Sequence, residues 1–163
     1  GVKDPWLVGT VTRTSAGTLP VSMKCAEETF GISKSVYSFS LPIGATMNMG
    51  GTTSYQTVVA IFACYLTNEP ITPGLIATIV IVSVMASVGT ASVPSAGVIM
   101  LTVTLSAIGF SFESIGLIIG LVWPLDVFLD MLRTGNNVVG DLAVANIVSK
   151  TEKETNWDVG VWK

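Results

Sequence analysis

The chain has 163 residues, half of them hydrophobic and only 12% charged, with a mean hydropathy of +0.67, whereas soluble domains carry about a quarter charged residues. It holds no histidine, which excludes histidine triads and histidine-ligated metal centres, and Cys25 and Cys64 lie too far apart in sequence to read as a zinc or redox pair. A net charge of −3 with mostly isolated basic residues leaves no basic patch for nucleic acid.

Between Lys34 and Asp126 the only ionisable carboxylates are Glu69 and Glu113, and there is no Lys or Arg. No water-soluble domain hides that much apolar chain, so the sequence reads as an all-α membrane protein. The two cysteines then read as small packing residues rather than a disulfide. Gly1 stands without an initiating Met or a leader-like segment, which points to a processed chain or part of a longer one.

Residues 1–30 form the first unit. An apolar run at 6–11 leads into Thr12-Arg13-Thr14-Ser15-Ala16-Gly17-Thr18-Leu19-Pro20, a polar tip between short arms, and reads as a re-entrant helical hairpin.

Residues 31–68 follow as one broken transmembrane helix. The 34 uncharged positions 35–68 are too many for a single span and barely enough for two, since a span takes about 20 residues. Helix-weakening residues at 44–52, including the Asn-Met-Gly-Gly-Thr segment at 48–52, predict two half-helices (36–43 and 55–66) joined by unwound backbone.

Residues 70–112 are 43 further uncharged positions, with apolar arms at 75–86 and 98–110 around a small and polar tip at 87–97. An arm of 12 residues rises only about 18 Å, against about 30 Å of hydrocarbon. A second re-entrant hairpin fits that length. Two ordinary spans in a thinned bilayer are the alternative. Ser87-Val88-Gly89-Thr90 and Pro94 echo Ser15-Ala16-Gly17-Thr18 and Pro20, as expected of an inverted-repeat transporter.

Residues 114–149 form the last span. Its polar residues Asp126, Asp130, Arg133, Asn137 and Asp141 are spaced 4, 3, 4 and 4 and share one helix face. Ionisable groups at membrane depth face a cavity, a ligand or one another, and a purely structural Asp130–Arg133 bridge is the bland reading. Residues 150–163 read as a solvated cytoplasmic tail. Lys24, Lys34, Lys150 and Lys153 flank the two full spans on one side, which the positive-inside rule makes cytoplasmic, with the second hairpin entering from outside.

Unwound backbone in lipid favours a desolvated hard cation as its partner, and Gly44, Thr46, Asn48, Asn137 and Asp141 supply oxygen ligands. An amino-acid substrate needs a counter-charge for its ammonium, donors for its carboxylate and, if acidic, an Arg fork. Asp130, the hairpin-tip N–H groups and Arg133 suit those tasks. Residue types alone thus favour cation-driven transport of a small zwitterion or anion.

Four stretches carry a closer likeness: residues 12–20, Gly44-Ala45-Thr46-Met47-Asn48-Met49-Gly50-Gly51-Thr52, residues 87–97, and Asp130-Met131-Leu132-Arg133-Thr134-Gly135-Asn136-Asn137-Val138-Val139-Gly140-Asp141. In order and over nearly the whole chain they resemble the signatures of the dicarboxylate/amino acid:cation symporters, the glutamate transporter family. The resemblance implies the transport-domain half of a trimeric elevator transporter in the cell membrane. Its scaffold half would be supplied in the same chain or another.

By matching position, the resemblance implies that Asp130 holds the substrate ammonium, Arg133 the side-chain carboxylate, and Thr134 and Asn137 the main-chain end. Thr14, Ser15, Met49, Thr52, Val93 and Gly97 would complete the pocket. One sodium ion would lie among Gly44, Asn48, Asn137 and Asp141. Another would be held by Thr46 with Ser87, Val88 and Thr90 once the second hairpin closes as the extracellular gate. Arg13 would pair with Asp130 in an empty pocket or line the cytoplasmic path. Gly50 departs from the family, which has Asp there, and so bears on the number of sodium sites. The function implied is sodium-coupled symport of aspartate or glutamate, with no enzymatic activity. A transport-inactive binding or regulatory protein, a structural hydrophobic domain and a dicarboxylate carrier with altered cation coupling are the alternatives.

Overall fold

The computed structural model describes every residue except 157, 159 and 161–163, and it is all-α. The elements are α1 (Lys3–Thr12), α2 (Ser15–Glu28), α3 (Lys34–Met47), α4 (Gly50–Thr67), α5 (Pro73–Val88), α6 (Ala96–Ala107), α7 (Phe112–Val122), a 3-10 turn (Trp123–Leu125) and α8 (Asp126–Thr151). Among the described residues the only β-type pairing is an isolated antiparallel bridge between Ile32 and Thr155.

Local chemistry sets most of the boundaries. Arg13 ends α1 in the left-handed conformation (φ 56°), and Thr14 caps α2 by accepting the Gly17 N–H at 3.1 Å. The expected polar tip at 12–20 is therefore only two residues long, because α2 runs helically through Pro20. The expected unwound stretch is shorter in the same way: α3 continues through Gly44 to Met47 and α4 begins at Gly50, so only Asn48 and Met49 leave the helix. Isolated glycines weaken a helix by about 1 kcal/mol each, which tertiary packing overrides here. Thr72 and Ser111 cap α5 and α7 by accepting the N–H groups of Leu75 and Ser114, both at 3.2 Å. Pro124 tightens the join of α7 to α8 into the 3-10 turn.

Two apolar cores flank the centre. One gathers Tyr55, Val59, Ile79, Leu101, Leu105 and Ile118 from α4–α7. The other gathers Cys25, Ile32, Tyr37, Leu41, Leu142 and Ala145 from α2, α3, α8 and the α2–α3 loop. Both cysteines are free and buried, as the packing role requires. α8 passes between the cores with its polar face inward. Small residues let α1 lie close along it: a Cβ on Gly9 would stand 2.9 Å from Val138 Cγ2, and one on Gly135 would strike Thr10 and Trp6.

The outer surface is apolar, with Phe39, Tyr65, Met85, Phe112 and Phe128 among the large side chains exposed, a surface that suits lipid or a partner protein rather than water. The run from Phe112 to Thr151 is long and apolar enough to cross a membrane. The described part of the tail is docked rather than freely solvated. Ser33 N–H donates to the Glu154 carbonyl at 3.0 Å and Asn156 N–H to the Gly31 carbonyl at 2.7 Å, while buried Ser149 bonds Glu154 O at 2.7 Å. These bonds place Lys34 and Lys150 at the same end of the molecule. The remainder of the expected tail lies outside the described residues.

Candidate functional site

The polar stripe of α8 is buried along its whole length: Asp126, Asp130, Arg133, Asn137 and Asp141 are each 5% exposed or less. Such groups are costly in an apolar interior unless they are paired, and each has found a partner of opposite charge or a hydrogen bond. Arg133 Nε donates to Asp130 Oδ1 at 3.0 Å, and Arg133 Nη2 lies 2.9 Å from Asp126 Oδ1. The second contact is close enough for an ion pair but misaligned for a hydrogen bond, so among the described residues both terminal guanidinium nitrogens and both Asp126 oxygens stay without a hydrogen-bond partner. The guanidinium is stacked 4.3 Å from the Tyr55 ring centroid, a cation–π contact that helps hold its plane.

Both helix-pair tips converge on this stripe. From the second tip, Ser95 donates its N–H to Asp130 Oδ2 at 2.9 Å. From the first, Arg13 Nη1 reaches the same oxygen at 3.8 Å. The tips also touch each other, since the Thr14 hydroxyl donates to the Ser92 carbonyl at 2.6 Å, and the Ser92 hydroxyl donates to the Ala45 carbonyl of α3.

Between them lies a cavity of only about 20 Å³, room for about one water. Its walls include Ser15, Met49, Thr52, Val93 and Gly97, and also Asp130, Arg133, Thr134 and Asn137. These are nine of the ten residues expected to line a substrate pocket; Thr14 stands just behind, bonded to Ser92 of the wall. Gly97 lets Arg133 approach closely, since a Cβ there would lie 2.9 Å from the guanidinium carbon.

The expected cation ligands divide into two outcomes. Gly44, Asn48 and Asp141 come together: Asn48 Nδ2 donates to Asp141 Oδ1 at 3.1 Å, and a Cβ on Gly44 would stand 2.7 Å from that oxygen. Rotating the Asn48 amide by half a turn presents its oxygen instead, so a carboxylate, an amide oxygen and nearby backbone carbonyls meet the donor chemistry of a hard monovalent cation. Asn137 is committed elsewhere, accepting the Gly51 N–H at 2.8 Å and donating to Thr52 Oγ1 at 3.2 Å. The second expected set is spread over α3, α5 and the second tip, with Thr90 buried and its hydroxyl donating to the Ala86 carbonyl at 2.9 Å. Thr46 is exposed and bonds the Ile43 carbonyl of its own helix, Val88 is exposed, and Ser87 accepts from Thr53 Oγ1 at 2.6 Å.

Gly50 is exposed, and a Cβ added there meets nothing within 4 Å, so neither packing nor backbone conformation requires a glycine. Asp126, Tyr55 and Ser95 contribute to the site beyond the residues expected to bind ligand. The signal for Asp126 was present, since it stands seven residues and two helical turns before Arg133. Tyr55 and Ser95 carry no such spacing signal, because their places depend on how α4 and the second tip pack on α8.

The Sodium:dicarboxylate symporter family matches residues 1–151. The chain is 43% identical over 158 residues to human excitatory amino acid transporter 2, an alignment covering 95% of this chain and 27% of that protein. It is 40% identical over 156 residues to human excitatory amino acid transporter 1, covering 90% and 28%. To an excitatory amino acid transporter of Caenorhabditis elegans it is 38% identical over 148 residues, covering 91% and 29%. The chain thus spans little more than a quarter of the length of these relatives, which are named as transporters and not as enzymes. The all-helical fold, the buried charged stripe and the match along nearly its whole length place the chain in the sodium:dicarboxylate symporter family.

Proposed function

We propose that this chain is the substrate-holding half of a sodium-coupled symporter of acidic amino acids, aspartate or glutamate, working by an elevator movement. The observation that carries this reading is Arg133: a buried guanidinium whose two terminal nitrogens lack hydrogen-bond partners, facing a cavity where two helix-pair tips meet α8. A planar fork whose Nη1 has no hydrogen-bond partner among the described residues, and whose Nη2 is held only by the ion pair to Asp126, matches a carboxylate once that pair loosens. Asp130, now bonded to Ser95 and Arg133, is placed to exchange those partners for a substrate ammonium.

On this reading α1–α2 and α5–α6 are re-entrant hairpins, α3–α4 is the broken span, and α7–α8 carries the final span. In the present geometry the cavity is contracted, Asp126 and Asp130 neutralise Arg133, and Arg13 approaches Asp130. Substrate entry requires the α5–α6 tip to part from Asp130, which makes that pair the gate. Gly44, Asn48 and Asp141 hold one sodium ion with Asn137. Thr46, Ser87, Val88 and Thr90 form a second site only when the gate moves relative to α3. The chain works joined to a scaffold half, in the same chain or another, and through it as a trimer in the cell membrane with the lysine-bearing end in the cytoplasm.

Equilibrium binding of labelled aspartate in sodium medium and in choline medium tests the reading. Sodium-dependent binding that glutamate displaces and alanine does not is the expected result, and absence of any acidic amino-acid binding would remove the assignment. Binding without transport would favour the second reading, a regulatory protein that kept the pocket, for which the altered Gly50 position is the supporting observation.

A further inference from the structure

A second cavity, of about 300 Å³, lies where α4 ends, α5 begins and α6 turns into α7, and it shares no wall residue with the Asp130–Arg133 cavity. Its volume reaches the lower end of the range typical of small-molecule sites, about 300–1,000 Å³. We propose that it binds a small organic ammonium ion carried on an apolar or aromatic body.

Glu69 is the only charged side chain in the wall, is exposed, and makes no ion pair among the described residues. α4 and α6 both end at this cavity, at Thr67 and Ala107, and helix C-termini add partial negative charge. The opposing N-terminus of α7 is already capped, since Ser111 Oγ accepts the Ser114 N–H at 3.2 Å.

Hydrogen-bonding capacity points the same way. The Thr67 hydroxyl donates to the Ala63 carbonyl at 2.9 Å. The backbone N–H groups of Glu69, Gly109 and Phe110 go to the carbonyls of Cys64, Ser106 and Leu105 at 2.9, 3.1 and 3.1 Å. Ser111 and Ser114 pair hydroxyl to hydroxyl at 3.0 Å, which leaves one proton between them. Donors in the wall are therefore almost spent while acceptors remain, so the ligand has to bring the donors.

Apolar surface then fixes the rest of the ligand. Leu75, Ile108 and Phe110 supply apolar surface to the wall. A bare inorganic cation would leave those walls uncovered and find a single carboxylate in the wall. A carboxylate ligand would meet Glu69, and a neutral apolar one would leave it unused. An ammonium on an aromatic body satisfies both sides and stacks on Phe110.

Saturable binding of radiolabelled phenethylammonium to membranes containing the full protein tests this. Unlabelled phenethylammonium at twice its dissociation constant should lower tracer binding about threefold. 3-Phenylpropionate and 2-phenylethanol at the same concentration should not compete, and aspartate should leave the binding unchanged, because the two cavities share no wall residue. Glu69→Gln should abolish the binding. Absence of saturable binding, equal competition by the three probes, or binding that survives Glu69→Gln would each overturn the proposal. The comparison of the three probes in the parent protein decides it even where the variant does not fold.

Discussion

Asp126 Oδ1 lies 2.9 Å from Arg133 Nη2 with both residues buried, yet the two make no hydrogen bond, so Asp126 acts on Arg133 by charge alone. One guanidinium therefore stands between two carboxylates, Asp126 and Asp130, seven and three residues before it on α8. The arrangement holds the positive charge in place, with Nη2 ion-paired to Asp126 and Nη1 unpartnered among the described residues.

Neutralising the first carboxylate tests this balance. Asp126→Asn keeps the shape and removes the charge that faces Arg133. Breaking a buried pair costs about 3–5 kcal/mol, and the remaining Asp130 partner puts this case at the lower end. Thermal unfolding in detergent should show a clear fall in Tm for Asp126→Asn, and an unchanged Tm would mean that Asp130 alone neutralises the arginine.

On the proposed reading Arg133 sets the substrate class, because among the described residues Arg13 is the one other cation near the cavity. Arg133→Cys should abolish binding of aspartate and glutamate and admit small neutral amino acids, measured by competition against a labelled substrate. Unaltered aspartate affinity in this variant would place the side-chain carboxylate elsewhere.

Asp130 should matter for amino acids and not for simple dicarboxylates, since only the former bring an ammonium. Asp130→Asn forfeits a charge-assisted hydrogen bond worth about 1.5–3 kcal/mol. Succinate should then compete as well as aspartate, and a preserved preference for aspartate would show that the ammonium is held by another group.

Adjacent glycines should behave oppositely. A Cβ on Gly51 would lie 2.5 Å from the Arg133 carbonyl oxygen, a backbone atom that cannot swing away, whereas a Cβ on Gly50 meets nothing within 4 Å. Gly51→Ala should therefore destabilise the fold, and Gly50→Ala should leave stability within about 0.5 kcal/mol or raise it slightly through helix propensity. The same open space admits Gly50→Asp. If the glycine has cost the chain a sodium ion, that variant should steepen the slope of log aspartate affinity against log sodium activity; equal slopes would remove Gly50 from cation coupling.

Much of this architecture is legible in the residues. The 4, 3, 4, 4 spacing places Asp126 to Asp141 on one face, and α8 buries that face. Composition points to a break near Asn48, and the helix does break there. Its extent is not legible, because propensity treats Gly44, Gly50 and Gly51 alike as helix-weakening. Packing instead keeps Gly44 helical beneath Asp141 and Gly51 helical against Arg133. The Ser95–Asp130 and Arg133–Tyr55 contacts depend on the approach of separate elements, which no local pattern encodes. The docking of residues 154–156 on the α2–α3 loop was equally hidden, since a charged tail reads as solvated unless its backbone pairing is known.

The central claim is that Arg133 and Asp130 hold an acidic amino acid whose movement is driven by sodium. Uptake of labelled aspartate into liposomes reconstituted with this chain and its scaffold half, with and without an inward sodium gradient, tests it most directly. The account predicts accumulation that follows the gradient and collapses when sodium is equal on both sides. Uptake that ignores the gradient, or binding with no uptake under any gradient, would contradict it.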